Sequence, residues 1–556
     1  DPPDDRVIAI VAFEEHVGFW REIPRDLFLR LWRLSRTGAN IADPAWVKAI
    51  DECVHTMHHG RDFPFAPGAA LVNLGTSWWI KDYFLRVRHV QRRHGVRYIP
   101  FLHDCIPLLV PEHCERKLVL EFAQWFAELA AHADTAFANS ASTATDATRF
   151  LESVVPGMGL PISVMPLDAS LREDLASAPA RPAPAGAAPT AESFVLCVGT
   201  IESRKNHLML FQAWLTLLRR HGPDRIPPLI CVGKPGWLAQ PAMTLLETAP
   251  ELAGKVRILH GIPDLELARL YERCLFTVYN SFHEGWGLPV TESLSYSKVP
   301  VLPRHSGLAE SGAQGGLFFE PQNEPDLVAK LESLIFDPVE RARREAALQD
   351  GAALRSWKAI AAQLLSDPAL TTGAAAIPPG ERICVPAAAI CPLSLSGALR
   401  PSAAMAASEL VREGLFWHPL EAEGCWTRPG PSRLRIPLGP VASGRYRVHL
   451  GLRGPVAGTA IGVRAIPRAG APGPFLRTAV APRARVTVVV DAEAADGALQ
   501  IEIEAPARRQ MLRGRRVASR QVGVCVTHVM ACRPEDQAAR MAFLERQHFV
   551  LLEAGT

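Results

Sequence analysis

Two short segments hold the residues whose types and spacing could do chemistry. In residues 199–207 (GTIESRKNH), Gly199 and Thr200 are followed by Arg204 and Lys205, directly after the apolar run FVLCV. A strand that ends in a glycine turn and opens a helix turns backbone N–H groups outward, and the helix dipole favours negative charge there. Two cations at that mouth suit a diphosphate. The plain alternative is a solvated basic pair in a turn. In residues 282–294 (FHEGWGLPVTESL), Glu284 and Glu292 follow a second apolar run, CLFTVYNS. The N–H groups of Gly285, Trp286, Gly287 and Leu288 can face a phosphate at the start of the next helix, and the glycines let a ligand come close. The carboxylates only accept hydrogen bonds, so hydroxyls suit them: a ribose for Glu292 and a sugar for Glu284. Two carboxylates alone would read as a solvated helix start. Their placement after a strand, around Gly-Trp-Gly-Leu-Pro, favours a site.

Elements that can position such residues recur along the chain. Apolar runs RVIAIVAF, AALVNLG, RYIPFLHD, TAFANS and ISVMPL alternate with helical stretches over residues 1–173, which predicts a parallel α/β sheet. A Pro/Ala-rich spacer covers 174–191. The alternation restarts over 192–366 with six further runs (SFVLCVG, PPLICVG, KVRILHG, CLFTVYNS, KVPVLP, GGLFFEP), a second Rossmann-like unit. A second spacer is expected at 367–405. From 406 to 533 the period changes to two (RLRIPLG, RYRVHLGLRG, AIGVRAI, RVTVVVDAE, ALQIEIEAP, RQVGVCVTHVM), which predicts an antiparallel β-sandwich, and 534–556 reads as a helical tail.

The 556 residues exceed what one core can hold, so three or four domains are expected. Sixty Lys and Arg against 57 Asp and Glu leave a charge of +3, which argues against a nucleic-acid partner. Eleven cysteines without repeated close spacing read as free thiols in a reducing cytoplasm, with no disulfide framework and no zinc site. No apolar run approaches the 20 or so residues of a membrane span.

The two motifs together resemble the retaining glycosyltransferases of family 4, of GT-B fold. The resemblance takes in a Gly-x-x-x-x-Arg-Lys turn (Gly199, Arg204, Lys205) and a pair of glutamates with seven residues between them (Glu284, Glu292). VGKPGW from Val232, RHSGLAESG from Arg304, HDCIPLLVPEHC from His103 and FANSASTATD from Phe137 are similar to further segments of that family. The resemblance implies transfer of a sugar from a nucleotide-diphosphate donor with retention, without cofactor or metal. Arg204 and Lys205 would hold the diphosphate and Glu292 the ribose. Glu284 and the amides of residues 285–288 would hold the sugar and its phosphate, with His103 near the reaction centre from the opposite domain. Thr200 stands where many relatives have Arg. Asp168 stands where Gly is common. No strand with a glycine-rich loop precedes Phe13, and the chain opens DPPDDR without a methionine, so an opening strand and helix are expected to be missing.

On the acceptor side, Asp104 either contributes to the site or caps the next turn, and Trp78 and Trp79 line a groove or pack between domains. Asn139 and Ser140 read as a helix cap. The basic stretch 80–98 reads either as a surface for peripheral contact with the inner face of the plasma membrane or as a solvated helix face. Trp417 and Trp426 either stack on sugars or anchor a core. The expected function is a retaining hexosyltransferase acting on a glycan or lipid-linked glycan in surface polysaccharide or lipopolysaccharide assembly; the alternative is an inactive sugar-binding or assembly subunit.

Overall fold

The computed structural model describes residues 8–14, 19–37, 41–168, 193–351, 353–371, 382–468, 471–511 and 519–548. The spacer expected at 174–191 lies outside them.

Two parallel sheets stand at the centre, as the alternation predicts. The first joins Ala70–Asn73, Arg97–Leu102, Ala136–Ala138 and Ile162–Val164 in sequence order. The run from Arg6 does not join it. Val11–Glu14 pairs antiparallel with Phe19–Glu22, because only four residues separate them and a parallel crossover needs a dozen or more. The second sheet contains all six expected strands, in the order Leu317–Phe319, Pro300–Pro303, Thr277–Val278, Val195–Val198, Leu229–Val232, Val256–Leu259. The first strand in sequence therefore sits in the middle with the fourth beside it, and the connections run away from that point on both sides. A crevice opens at the carboxyl ends of the strands where the order reverses. Both chemical motifs begin there.

From Arg412 onward the described residues form two large antiparallel sheets, besides the two-stranded pair Arg508–Met511 and Ser519–Val522. One contains Trp417–Glu421, Gly424–Thr427, Gly444–Arg453, Arg485–Ala494 and Cys525–Cys532; the other contains Ser432–Pro437, Thr459–Ala465, Leu476–Val480 and Ala498–Glu504. Burial alternates along Arg485–Ala494, as a period of two requires, whereas Gly424–Thr427 is buried on both faces. Gln537–His548 is helical.

Three expectations need correction. Of the stretch 367–405, residues 372–381 lie outside the described ones, and 382–405 is no linker: Ile390–Pro392 pairs with Cys525–Cys532, and Ile383, Val385, Cys391 and Leu393 are buried. The helix Trp357–Ser366 does not close the second unit. Its Ile360 packs with Ile99, Phe101, Phe137 and Met165 of the first, and Arg97 there donates to the carbonyls of Ala369 and Leu370 at 2.9 and 3.0 Å. Finally, the C-terminal sheets are not a separate accessory body. Their buried residues and those of the first α/β unit form one continuous core, which helix Ala403–Leu410 joins by packing on helix Arg116–His132.

The basic stretch 80–98 is part of that core. In helix Tyr83–His94 even Arg86 and Arg88 are buried, so most of this helix is not a solvated face; Lys81 and Arg93 remain exposed at its ends. Trp417 and Trp426 are likewise interior, at 0% and 2% exposure, and cannot stack on sugars. Among the described residues no helix is long and apolar enough to cross a membrane.

At this junction Glu128 is pushed up to about 8 by burial and by the neighbouring Glu409 carboxylate. The folded form thus keeps a proton that an unfolded carboxyl releases near 4.5. Its contribution to stability is full below that pH and is lost as pH rises to about 8. We expect Glu128→Gln to melt with the parent at pH 4.5 and above it at pH 8; parallel melting curves across that range would refute the assignment.

Candidate active site

The reversal in strand order brings the two motifs together. Residues 199–206 leave the end of Val195–Val198, and residues 279–287 leave the end of the adjacent Thr277–Val278. Phe282 N–H donates to the Arg204 carbonyl at 2.8 Å, tying the two loops. Glu284 lies between both cations: Arg204 Nη1 is 3.3 Å from Oε2, and Lys205 Nζ pairs with Oε1. Ser281 Oγ donates to the same Oε1 at 2.6 Å, and Arg204 Nε meets Glu202 at 2.5 Å. Burial alone would raise the Glu284 carboxyl. The Lys205 ammonium and the Arg204 guanidinium more than reverse this and hold it at about 2. Glu284 is therefore a carboxylate at every working pH.

Glu292, one turn into helix Leu288–Ser295, accepts from the Tyr271 hydroxyl at 2.7 Å, and burial raises its pKa above the ordinary carboxylate range. Tyr271 is stacked on Tyr296 with 5.6 Å between ring centres and fixes one oxygen of Glu292. Gly287, at φ +95°, makes the left-handed turn that starts this helix, which any other residue would enter under strain. Trp286 is buried behind it.

Gly285 does something the sequence did not reveal. A Cβ there would lie 1.8 Å from the His103 carbonyl oxygen, so the glycine lets the Glu284 loop touch the first unit backbone to backbone. The same carbonyl accepts from Asn139 Nδ2 at 2.6 Å. His103 Nε2 bonds the Leu74 carbonyl at 2.8 Å, which places the ring proton on Nε2 and leaves Nδ1 as an acceptor. Asp104 accepts from Ile106 N–H at 3.0 Å: it caps the short helix Ile106–Leu109 and also faces the crevice. Ser140 caps helix Ala141–Val154 through Thr143 N–H at 2.9 Å.

Other contacts across the crevice had no signal in the sequence. Glu310 accepts from the Ala141 and Ser142 N–H groups at 2.8 Å each, placing a carboxylate from the second unit on a helix N-terminus of the first. His113 stacks on Phe282 with centroids 3.9 Å apart and bonds Ser203 Oγ at 2.9 Å. Asp168 pairs with Arg355 at 2.5 Å, and its carbonyl accepts from the Arg355 N–H at 3.0 Å. Gly199 lies at the close approach of two strand ends, where a Cβ on Gly233 would meet its carbonyl at 2.0 Å, and Thr200 packs against Gly236.

Beneath Lys205, Cys197 and Cys231 are register partners on adjacent strands, and with His207 their ligand atoms lie within 4.8 Å of one another. Thirty-odd residues of separation hid this group from a reading by close spacing. A hydrogen bond from Cys231 is the main cause that holds the Cys197 thiol at about 5.

The profile of the family "Glycosyl transferases group 1" matches residues 183–349, the unit that carries both motifs. The chain carries a group 1 glycosyltransferase domain. Over 239 residues, 41% of the chain, it is 33% identical to the serotype-specific mannosyltransferase WbdA of Escherichia coli, and it covers 28% of that protein. It is 35% identical over 138 residues to the O-antigen chain mannosyltransferase B of Escherichia coli, covering 25% of this chain and 35% of that one. The chain thus spans little more than a quarter to a third of the relatives it matches. Among solved structures, sucrose-phosphate synthase of Thermosynechococcus elongatus aligns over 62% of this chain and 78% of its own, at 19% identity and a TM-score of 0.41. Within the glycosyltransferase domain lie Arg204, Lys205, Glu284 and Glu292; His103, Asp104, Trp78 and Trp79 come from the first unit.

Proposed function

We propose that this protein is a retaining, metal-independent glycosyltransferase of GT-B architecture, its C-terminal sheets packed as a sandwich. It moves a hexose from a nucleotide-diphosphate sugar to a glycan or lipid-linked glycan of a surface polysaccharide, in the cytoplasm. The observation that carries this is the ion-paired group of Lys205, Glu284 and Arg204 where the strand order reverses, with His103 in backbone contact from the opposite unit. The relatives are named mannosyltransferases, which makes mannose the sugar to test first.

The chemistry follows from charge. As the bond between the anomeric carbon and the diphosphate oxygen breaks, its electron pair stays with the diphosphate. Arg204 and Lys205 are fixed cations at that point, so they stabilise the developing charge without reorganising. The acceptor oxygen bonds the anomeric carbon from the same face, and its proton passes to the departing phosphate oxygen. Glu284 accepts hydroxyls of the sugar, and Glu292 accepts a ribose hydroxyl through the oxygen Tyr271 does not use. His103, oriented by Leu74, positions the sugar from the other side. The cations at the leaving group in this reading are one guanidinium, Arg204, and one ammonium, Lys205, and no step is routed through a metal.

The test is thermal stabilisation by ADP, CDP, GDP, UDP and dTDP. A ligand bound only by the native state at 100 times its Kd stabilises by about 2.7 kcal/mol. One base should raise the melting temperature, and Lys205→Ala and Glu292→Ala should each remove the shift. No shift with any nucleotide would overturn the proposal in favour of a sugar-binding assembly subunit.

A further inference from the structure

We infer that the cavity beside the donor group is an acceptor subsite that takes an uncharged pyranoside between indole faces of both units and rejects a sugar phosphate. It deepens the glycosyl-transfer reading and rests on it for the word acceptor.

The cavity holds about 400 Å3, within the range of small-molecule sites, and its walls come from both sides of the crevice. Trp79 lines it from the first unit at 55% exposure, and Trp237 lines it from the second at 39%. Trp78 backs Trp79 at 5.1 Å between centroids and is itself wedged on Phe122 and Trp125, so the exposed indole stands on a rigid aromatic base. Indoles that both units leave open in the wall of one cavity offer flat apolar area, which matches the C–H faces of a pyranose ring.

Charge decides between a neutral and an anionic ligand. The lining carries three carboxylates, Asp104, Glu115 and Glu121, and two cations, Lys117 and Arg204. Arg204 faces the donor side, where it is paired with Glu202 and Glu284, and Lys117 is a solvent-exposed neighbour of Glu121 at 3.7 Å, so the lining away from the donor group is net negative. A phosphate entering here would meet excess negative charge, whereas sugar hydroxyls find acceptors in the carboxylates. Arg204 lines this cavity and also touches Glu284, so a hydroxyl held here lies next to the donor group.

Binding is measured without turnover, by calorimetric titration of the full chain with a neutral mannose oligosaccharide and with the same compound phosphorylated at its non-reducing end. The neutral compound should bind, about tenfold more weakly to Trp79→Ala and to Trp237→Ala, with Trp79→Phe restoring most of the affinity. The phosphorylated compound should bind at least tenfold more weakly than the neutral one, and Glu115→Gln with Glu121→Gln should narrow that gap. Equal affinity in the parent and both alanine variants, or tighter binding of the phosphorylated compound, overturns the inference. Oligosaccharide binding that depends on both tryptophans, in a chain no nucleotide stabilises, would sink the transfer reading and leave this subsite standing. A nucleotide shift with tryptophan-independent binding would do the reverse.

Discussion

Glu284→Ala should lower turnover of the nucleotide-diphosphate sugar more than a hundredfold, the usual loss when a preorganised charged group at a reaction centre is removed. The geometry gives two reasons. The carboxylate is the meeting point of Lys205, Arg204 and Ser281, so its removal frees both cations from their fixed positions at the end of the sheet. It also removes the group proposed to accept sugar hydroxyls. Glu284→Gln keeps the shape and loses the charge, and should recover little. The pH dependence carries a sign. Because the folded carboxyl sits at about 2, below its ordinary value, its pairing contributes stability above pH 4.5 that is lost as pH falls toward 2. The parent should therefore lose stability on acidification over that window, and the alanine variant should lose less. An acid limb of activity at pH 5 to 6 would have to come from another group. Retention of more than a tenth of the turnover in Glu284→Ala would remove this residue from the mechanism.

Glu409→Ala should destabilise the chain by roughly 3–5 kcal/mol, the range for removing one partner of a buried ion pair. Arg88 Nη2 bonds Glu409 Oε1 at 3.1 Å, the Glu409 carbonyl at 3.0 Å and the Arg412 carbonyl at 2.6 Å. Arg412 pairs with the other Glu409 oxygen and with Asp82 at 2.9 Å. The side chains of Arg88, Glu409 and Arg412 are each 2% exposed. Arg88 Nη1 also donates to His132 Nε2 at 2.9 Å, and burial together with this cation keeps the imidazole neutral. Removing the carboxylate leaves the Arg88 guanidinium without its counter-charge in a dry interior and Arg412 with Asp82 alone. Since the network ties the first α/β unit to the C-terminal sheets within one core, both should unfold in one urea transition, shifted to lower midpoint. Two separated transitions in the parent, or a loss under 1 kcal/mol, would show that the junction is an ordinary domain contact.

Most strands were legible because their signals are local. Six apolar runs from Phe194 to Phe319 became six strands of one sheet, and the period-two runs after Arg433 became antiparallel strands. Three readings failed where local signal and tertiary context part. Helix Tyr83–His94 is rich in arginine and reads as a wet face, yet Arg88 is neutralised by a glutamate 321 residues away. Ala- and Pro-rich composition around residue 390 reads as linker, yet a strand there finds an edge on Cys525–Cys532. The run from Arg6 reads as parallel and folds as a hairpin.

The sequence alone determined the chemistry available at the crevice. Gly199, Arg204, Lys205, Glu284 and Glu292 each follow a strand closely, and a strand end fixes where the next few side chains can reach. Only the tertiary structure decided how they combine. Strand order placed the Glu284 loop beside the Arg204 loop, 80 residues apart in the chain. The missing side chain of Gly285 let His103 of the other unit meet them. Trp79 and Trp237 likewise line one cavity only through the packing of two sheets. Pairing across such distances depends on which elements share a core, a property of the whole chain that no local spacing records.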